Sequence, residues 1–277
     1  MRQVWLLLIL LSGWSFASES LSAGCGKPAT EPLTHLTVAG VPRTFILELP
    51  QPYDPDRAYP LIFAFHGRTS PAEEVQGYYD LEAHAPDTLG PTIFVYPVAL
   101  TQEDGTFSWW DSDDAPDALR DFTLFDALIT RVQETYCVDT ARIYAVGHSL
   151  GGSFVNALGC YRAEVLRAVA SLGAGPSGGT CTGVVAAMVL HNPRDELVPF
   201  SLGQAARDQY LEQNDLGAPA QSTEPITLSC QRYGGPRIPD PVLWCPHTVD
   251  TSRGRFYPHN WPNETGLAVM RFFASLP

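Results

Sequence analysis

The feature that most constrains this chain is a glycine-flanked serine where one structural pattern gives way to another. Gly147-His148-Ser149-Leu150-Gly151 follows the apolar run Ile143-Tyr144-Ala145-Val146. It precedes Phe154, Leu158 and Tyr161, which are spaced as one face of a helix. A strand that turns at once into a helix leaves little room beside the turn, which is why glycine brackets such a residue. The spacing predicts a serine raised at the C-terminal edge of a sheet, where α/β folds keep their reactive groups. The alternative is an inert serine in a glycine-rich turn.

The remaining pattern says what kind of sheet this is. Residues 61–65 and 92–96 are continuously apolar, as strands buried on both faces are, and 165–172 and 184–190 are two further strands. The run 44–49 is rich in β-formers and ends at Pro50. Between strands, Phe122, Phe125, Leu128, Ile129 and Val132 make one apolar helical face, and residues 264–275 read as a C-terminal helix. Strands alternating with helices predict an α/β fold: a mostly parallel central sheet with helices on both faces. No repeat, low-complexity tract or linker divides residues 24–277, so a single catalytic domain is expected.

The N-terminus reads differently. Arg2 precedes the apolar run 5–11, which is shorter than the roughly 20 residues a membrane span needs. Ser15-Phe16-Ala17 then offers small residues where a signal peptidase reads. A cleaved secretory signal over residues 1–17 is expected, with a second cleavage option after Ala23. Export fits the cysteines. Cys25, Cys137, Cys160, Cys181, Cys230 and Cys245 are even in number and lack the C-x-x-C spacing of zinc sites, so three disulfides and no metal are expected. Lipidation of Cys25 would leave an odd thiol. Cys230 and Cys245 bracket a Gly/Pro-rich segment and are read as a local loop closure. The net charge of -13 argues against a nucleic-acid partner. No later stretch suits a membrane span, and a secreted monomer is expected.

A serine hydroxyl is a weak nucleophile. It needs a histidine base, and the histidine needs an acid to hold its tautomer. On a strand-turn-helix of this kind the chain order is Ser, acid, His. The acid is read as Asp195, in the loop after the strand 184–190, with Glu196 as its neighbouring rival. His191 precedes the acid and is disfavoured by order. His259, in a loop before the last helix, is the favoured base, and His247 stays open. Two backbone N–H groups must meet the developing oxyanion. One belongs to Leu150. The other belongs to the loop His66-Gly67-Arg68, with Arg68 the choice and Thr69 close behind. Trp109 and Trp110 are candidates to flank an aromatic or sugar group, with core packing the equal alternative.

These segments together resemble the secreted feruloyl esterases and their acetylxylan esterase and polyhydroxybutyrate depolymerase relatives. The similarity runs through Cys25-Gly26-Lys27-Pro28, Gly40-Val41-Pro42-Arg43-Thr44-Phe45, Pro60 to Gly67, Trp109-Trp110, Asp121 to Phe125, Tyr136-Cys137-Val138-Asp139 and His259-Asn260-Trp261-Pro262. The resemblance implies an α/β-hydrolase fold, no cofactor and a triad on Ser149, Asp195 and His259. It also implies, as substrate, a feruloyl or related hydroxycinnamoyl ester on plant cell-wall polysaccharide, with acetylxylan or polyhydroxybutyrate as the runner-up. A non-catalytic binding protein on the same fold is the alternative of another class. One departure stands out: Tyr257-Pro258 precedes the histidine where relatives usually carry glycines.

Overall fold

The computed structural model describes residues 20–28, 33–109, 120–217, 228, 230–252 and 254–277. The expected leader and Trp110 lie outside them.

The chain enters the sheet through the hairpin β1 (His35–Val38) and β2 (Val41–Glu48). β3 (Tyr59–Phe65), β4 (Ile93–Pro97), β7 (Val138–His148), β8 (Ala168–Leu172), β9 (Ala186–His191) and β11 (Val242–Pro246) follow, while β5 (Leu100–Thr101) and β6 (Phe107–Ser108) pair with each other outside this sheet. β10 (Gln231–Tyr233) closes the far edge. The nine strands lie in the order β1-β2-β4-β3-β7-β8-β9-β11-β10. From β4 to β11 every neighbour pair is parallel, while β1, β2 and β10 are antiparallel to theirs. The parallel centre is the expected one, and β3, β4 and β7 occur within a few residues of the apolar runs that foretold them. β8 begins only at Ala168, because residues 162–167 first turn off the preceding helix, with the Val165 N–H donating to Arg162 O at 3.1 Å.

Alternation along the buried strands makes two cores. Leu61, Phe63 and Phe65 point to one face of β3, and Ile62 and Ala64 to the other. The first face is covered by α3 (Arg120–Thr135), α4 (Leu150–Tyr161) and α5 (Phe200–Gln213), through Phe125, Leu128, Phe154, Leu158 and Tyr210. The second is covered by α1 (Ala72–Tyr79), α2 (Leu81–His84) and α6 (Thr265–Ala274), through Val75, Tyr79, Val269 and Phe272. Each fully buried Leu, Val or Phe contributes about 1.5–3 kcal/mol, so continuous apolar strands with cover on both sides are self-consistent.

Two devices tie the edges down. Arg43 on β2 donates to Asp121 on α3 at 2.7 Å, with both side chains almost wholly buried. Removing either partner there leaves an uncompensated buried charge, which costs about 3–5 kcal/mol. The disulfide Cys25–Cys137 fastens the N-terminal strap to the start of β7. Beside it, Ser22 Oγ donates to Tyr136 O at 2.8 Å and accepts from Val138 N at 2.9 Å. Cys160–Cys181 and Cys230–Cys245 complete the pairing, and Cys230–Cys245 is the local closure expected.

Candidate active site

Ser149 occupies the single residue between the end of β7 and the start of α4, with φ 58° and ψ −128°. A non-glycine residue with positive φ is strained, and strain of this kind persists only where surroundings enforce it. Here the Ser149 N–H is held by Leu172 O at 2.9 Å, and Ser149 O by Ser153 N at 2.9 Å. Gly151 lets α4 approach β3: any Cβ at this position would collide with the carbonyl oxygens of Phe65 and His66. The glycine after the serine is therefore a packing requirement.

The β3 exit loop lies directly over the serine. A Cβ built on Gly67 would sit 3.4 Å from Ser149 Cβ and 3.9 Å from Ser149 Oγ. The loop is held from beneath. Ala99 N–H donates to His66 Nε2 at 3.0 Å, so that nitrogen accepts and Nδ1 carries the proton, donating to Gly67 O at 2.7 Å. Burial lowers the His66 pKa and keeps this neutral form. The Trp109 indole N–H donates to His66 O at 2.7 Å, and its ring stacks on Phe154 at 5.4 Å. Trp109 is fully buried, so it takes the core role and not the expected substrate contact. What it does instead is brace the loop from which Arg68 presents its backbone. The Arg68 side chain points out to Asp104, while its carbonyl accepts from Phe107 N at 2.8 Å. Leu150 begins α4, where the first N–H groups of a helix have no partner within it.

Asp195 stands in the loop after β9. Its Oδ1 accepts from the N–H groups of Leu197 and Val198, each at 2.9 Å, and its Oδ2 lies 2.6 Å from His259 Nδ1. Burial pushes the carboxyl upward, but the bonds from His259, Val198 and Leu197 outweigh it and its pKa is lowered. An ionised carboxylate only accepts, so His259 donates from Nδ1–H, the tautomer that in a neutral imidazole leaves the Nε2 lone pair free. Glu196, the rival acid, is exposed. His191 adds a buttress. Its Nε2 lies 2.9 Å from Val198 O, an acceptor, so Nε2–H donates there and steadies the turn that holds Asp195.

The structure separates the two candidate histidines. His247 is buried away from the cleft, and its ring nitrogens have no hydrogen-bond partner among the described residues. Burial first, then the neighbouring His191, pushes its pKa down to about 4. His259 stands against Asp195 and over the ring of His148, 4.7 Å away. Tyr257-Pro258 does not prevent this, because Asn260 and Trp261 seat the loop from the other side. Asn260 Nδ2 donates to Thr251 O at 2.8 Å and Val249 O at 3.2 Å, and Trp261 stacks on Tyr79 at 3.9 Å. Gly173, in the left-handed region at φ 59°, leaves space for the imidazole, since a Cβ there would stand 3.1 Å from His259 Cε1.

Ser149, Leu150, Arg68, Thr69 and His259 line one cleft of about 1290 Å³. Sequence reasoning missed its outer wall: Leu197 and the hairpin of β12 (Thr251–Ser252) and β13 (Arg255–Phe256), which carries Phe256 and leads into Tyr257. Two-residue strands have no readable period, and the one available signal was a pair of aromatics just before the histidine. No group of three or more His, Cys, Asp or Glu side chains that could hold a metal ion occurs among the described residues.

No protein-family model matches the chain. It is 30% identical to the probable feruloyl esterase C of Aspergillus clavatus over 224 residues, 76% of each chain. It is 32% identical to the feruloyl esterase C of Emericella nidulans over 216 residues, 73% of this chain and 74% of that one. Among solved structures, the acetyl xylan esterase from Aspergillus awamori superposes with a TM-score of 0.58 over 78% of this chain and 94% of that one, at 13% identity. At that identity the likeness is one of fold, and the fold is the α/β-hydrolase fold. On the sequence relationship, the chain belongs to the feruloyl esterase family and is a carboxylic ester hydrolase of that kind.

Proposed function

We propose that Ser149, His259 and Asp195 form the catalytic triad of a feruloyl esterase acting on hydroxycinnamoyl esters of plant cell-wall polysaccharide. The observation that carries the reading is the 2.6 Å bond from His259 to Asp195 at the cleft that also holds Ser149. Ser149 Oγ attacks the ester carbonyl and its proton passes to His259 Nε2. The C–O bond to the alcohol then breaks, and the alcohol leaves with that proton. Water, activated by the same nitrogen, attacks the acyl-serine; the acid departs and Ser149 regains its proton. The N–H groups of Leu150 and Arg68 hold the oxyanion in both halves, each donor contributing about 10²–10³ in rate. Asp195, ionised throughout, keeps the imidazole in the productive tautomer and stabilises the imidazolium.

The working unit in this reading is a secreted monomer. Residues 1–17 direct export and are removed. Thr140 N donates to Ser20 O at 2.7 Å, and Ser22 is buried against Tyr136 and Val138. Cleavage after Ala17 retains those bonds, whereas cleavage after Ala23 discards them. Three disulfides fit an oxidising destination.

The test compares methyl ferulate, acetylated xylan and a hydroxybutyrate oligomer with wild type and Ser149→Ala. The expected result is release of ferulate by wild type and a loss of at least about 10⁴-fold in the variant. Untouched methyl ferulate beside cleaved acetylated xylan would replace the acyl class. Equal rates in both proteins would overturn the nucleophile.

A further inference from the structure

Resting on that reading, we propose that the β12–β13 hairpin is the acyl-recognition element, with the ring of Phe256, flanked by Tyr257 and Leu197, stacking on the hydroxycinnamoyl ring. Three observations lead there.

The first is exposure. Phe256 is 65% exposed, Leu197 66% and Tyr257 43%, and all three line the Ser149 cleft. Large apolar side chains left in water at a cleft mouth are what an apolar ligand covers. Each is unneeded by either core.

The second is anchorage. The segment leading into the hairpin is fastened to the loops of both proposed partners of the serine. Asn192, three residues before Asp195, donates to Val249 O at 2.9 Å and to Asp250 Oδ1 at 3.0 Å. Asn260, adjacent to His259, donates to Val249 O and Thr251 O. Arg194 pairs with Asp250, and Tyr257 N donates to Asp250 O at 2.7 Å. An exposed aromatic on a loose loop would be a poor recognition element. One held relative to Asp195 and His259 can fix where a substrate ring rests as the carbonyl meets Ser149.

The third is asymmetry. The carboxylates of the lining, Glu74 and Asp80, belong to α1 and its C-terminal cap, with Thr69, Ser70 and Tyr78 also in the lining, whereas the hairpin carries Ser252 and Arg255 beside its aromatics. An ester of an aromatic acid with a sugar has one flat apolar end and one hydroxyl-rich end. Aromatic faces suit the first and carboxylates, hydroxyls and amides the second. The acyl group therefore lies on the hairpin side and the alcohol on the side of α1.

The test holds the alcohol constant and varies the acid. Wild type, Phe256→Ala and Phe256→Tyr are compared on methyl ferulate and methyl butyrate, and on a feruloylated arabinose. We expect Phe256→Ala to lower the kcat/KM ratio of methyl ferulate over methyl butyrate by about tenfold. Phe256→Tyr, which keeps the ring face, retains the ratio. Equal losses on both methyl esters, or a lost ratio in Phe256→Tyr as well, would overturn the proposal. So would a loss confined to the arabinose ester, which would put the alcohol on this wall. Methyl ferulate left intact by wild type is a different failure: it ends the hydroxycinnamoyl reading itself, whereas cleavage with an unaltered ratio ends only the hairpin's role.

Discussion

Asp195 binds His259 with one carboxylate oxygen and its own turn with the other: Oδ2 meets His259 Nδ1 at 2.6 Å, while Oδ1 accepts from Leu197 and Val198 N–H. The carboxylate is thus oriented before it orients anything else. Replacing it with an amide of the same shape tests the electrostatic half of that arrangement. Asp195→Asn should lower kcat by about 10⁴-fold, because the amide no longer enforces the Nδ1–H tautomer. Glu196→Gln, one residue on and exposed, should stay within about twofold. Steady-state kinetics on one ester checks both. A loss under about tenfold in Asp195→Asn would remove the acid from the account.

The buried histidines give stability a pH dependence. His66, His148, His191 and His247 all have lowered pKa values, each chiefly through burial. A histidine with a depressed folded pKa is neutral in the native state, while the unfolded chain takes up its proton first. Stability is therefore full above the unfolded value of 6.5 and falls as pH drops toward the folded one, which for His247 is about 4. Each histidine contributes up to about 1.4 kcal/mol per pH unit in its window. Asp195 acts the same way but lower, since its depressed pKa sustains its contribution until the pH falls below the ordinary carboxylate range. Denaturant melts between pH 7.5 and 4.5 should show stability declining with acid, and His247→Leu should flatten the decline. A level profile would contradict the burial of these rings as neutral groups.

The three disulfides should rank by the loop each closes. They span 112, 21 and 15 residues for Cys25–Cys137, Cys160–Cys181 and Cys230–Cys245. Loop-closure entropy then gives about 4.8, 3.3 and 3 kcal/mol lost when each pair is replaced by serines. Urea midpoints of the three double variants check the order. The first should be the most damaging, because it also frees the strap that carries Ser22.

What could be read in advance divides on physical lines. Strands β3, β4 and β7 announce themselves because burial on both faces demands unbroken apolar runs. α5 goes unread because it packs through Gly203, Ala206 and Tyr210, which make no apolar stripe. β11 goes unread because Pro241 precedes it and Pro246 is its last residue, though its neighbour β9 supplies the parallel partner that makes it a strand. At the site, Ser149 is legible from local chemistry alone, since strand, turn and helix are contiguous. His259 and His247 are not separable in that way, because what distinguishes them is a partner 64 residues distant in the chain. Trp109 shows the same limit: an aromatic suited to a ligand is equally suited to Phe154 and the His66 carbonyl, and here it meets those.

The central claim is that the strained serine at the end of β7 is the nucleophile. The most direct measurement is covalent. A fluorophosphonate forms a P–O bond to an activated serine and expels fluoride, and peptide mass mapping then locates the adduct. The account predicts one adduct, on Ser149, formed in step with loss of esterase activity and absent from Ser149→Ala. An adduct on another residue, or full activity with Ser149 labelled, would contradict it.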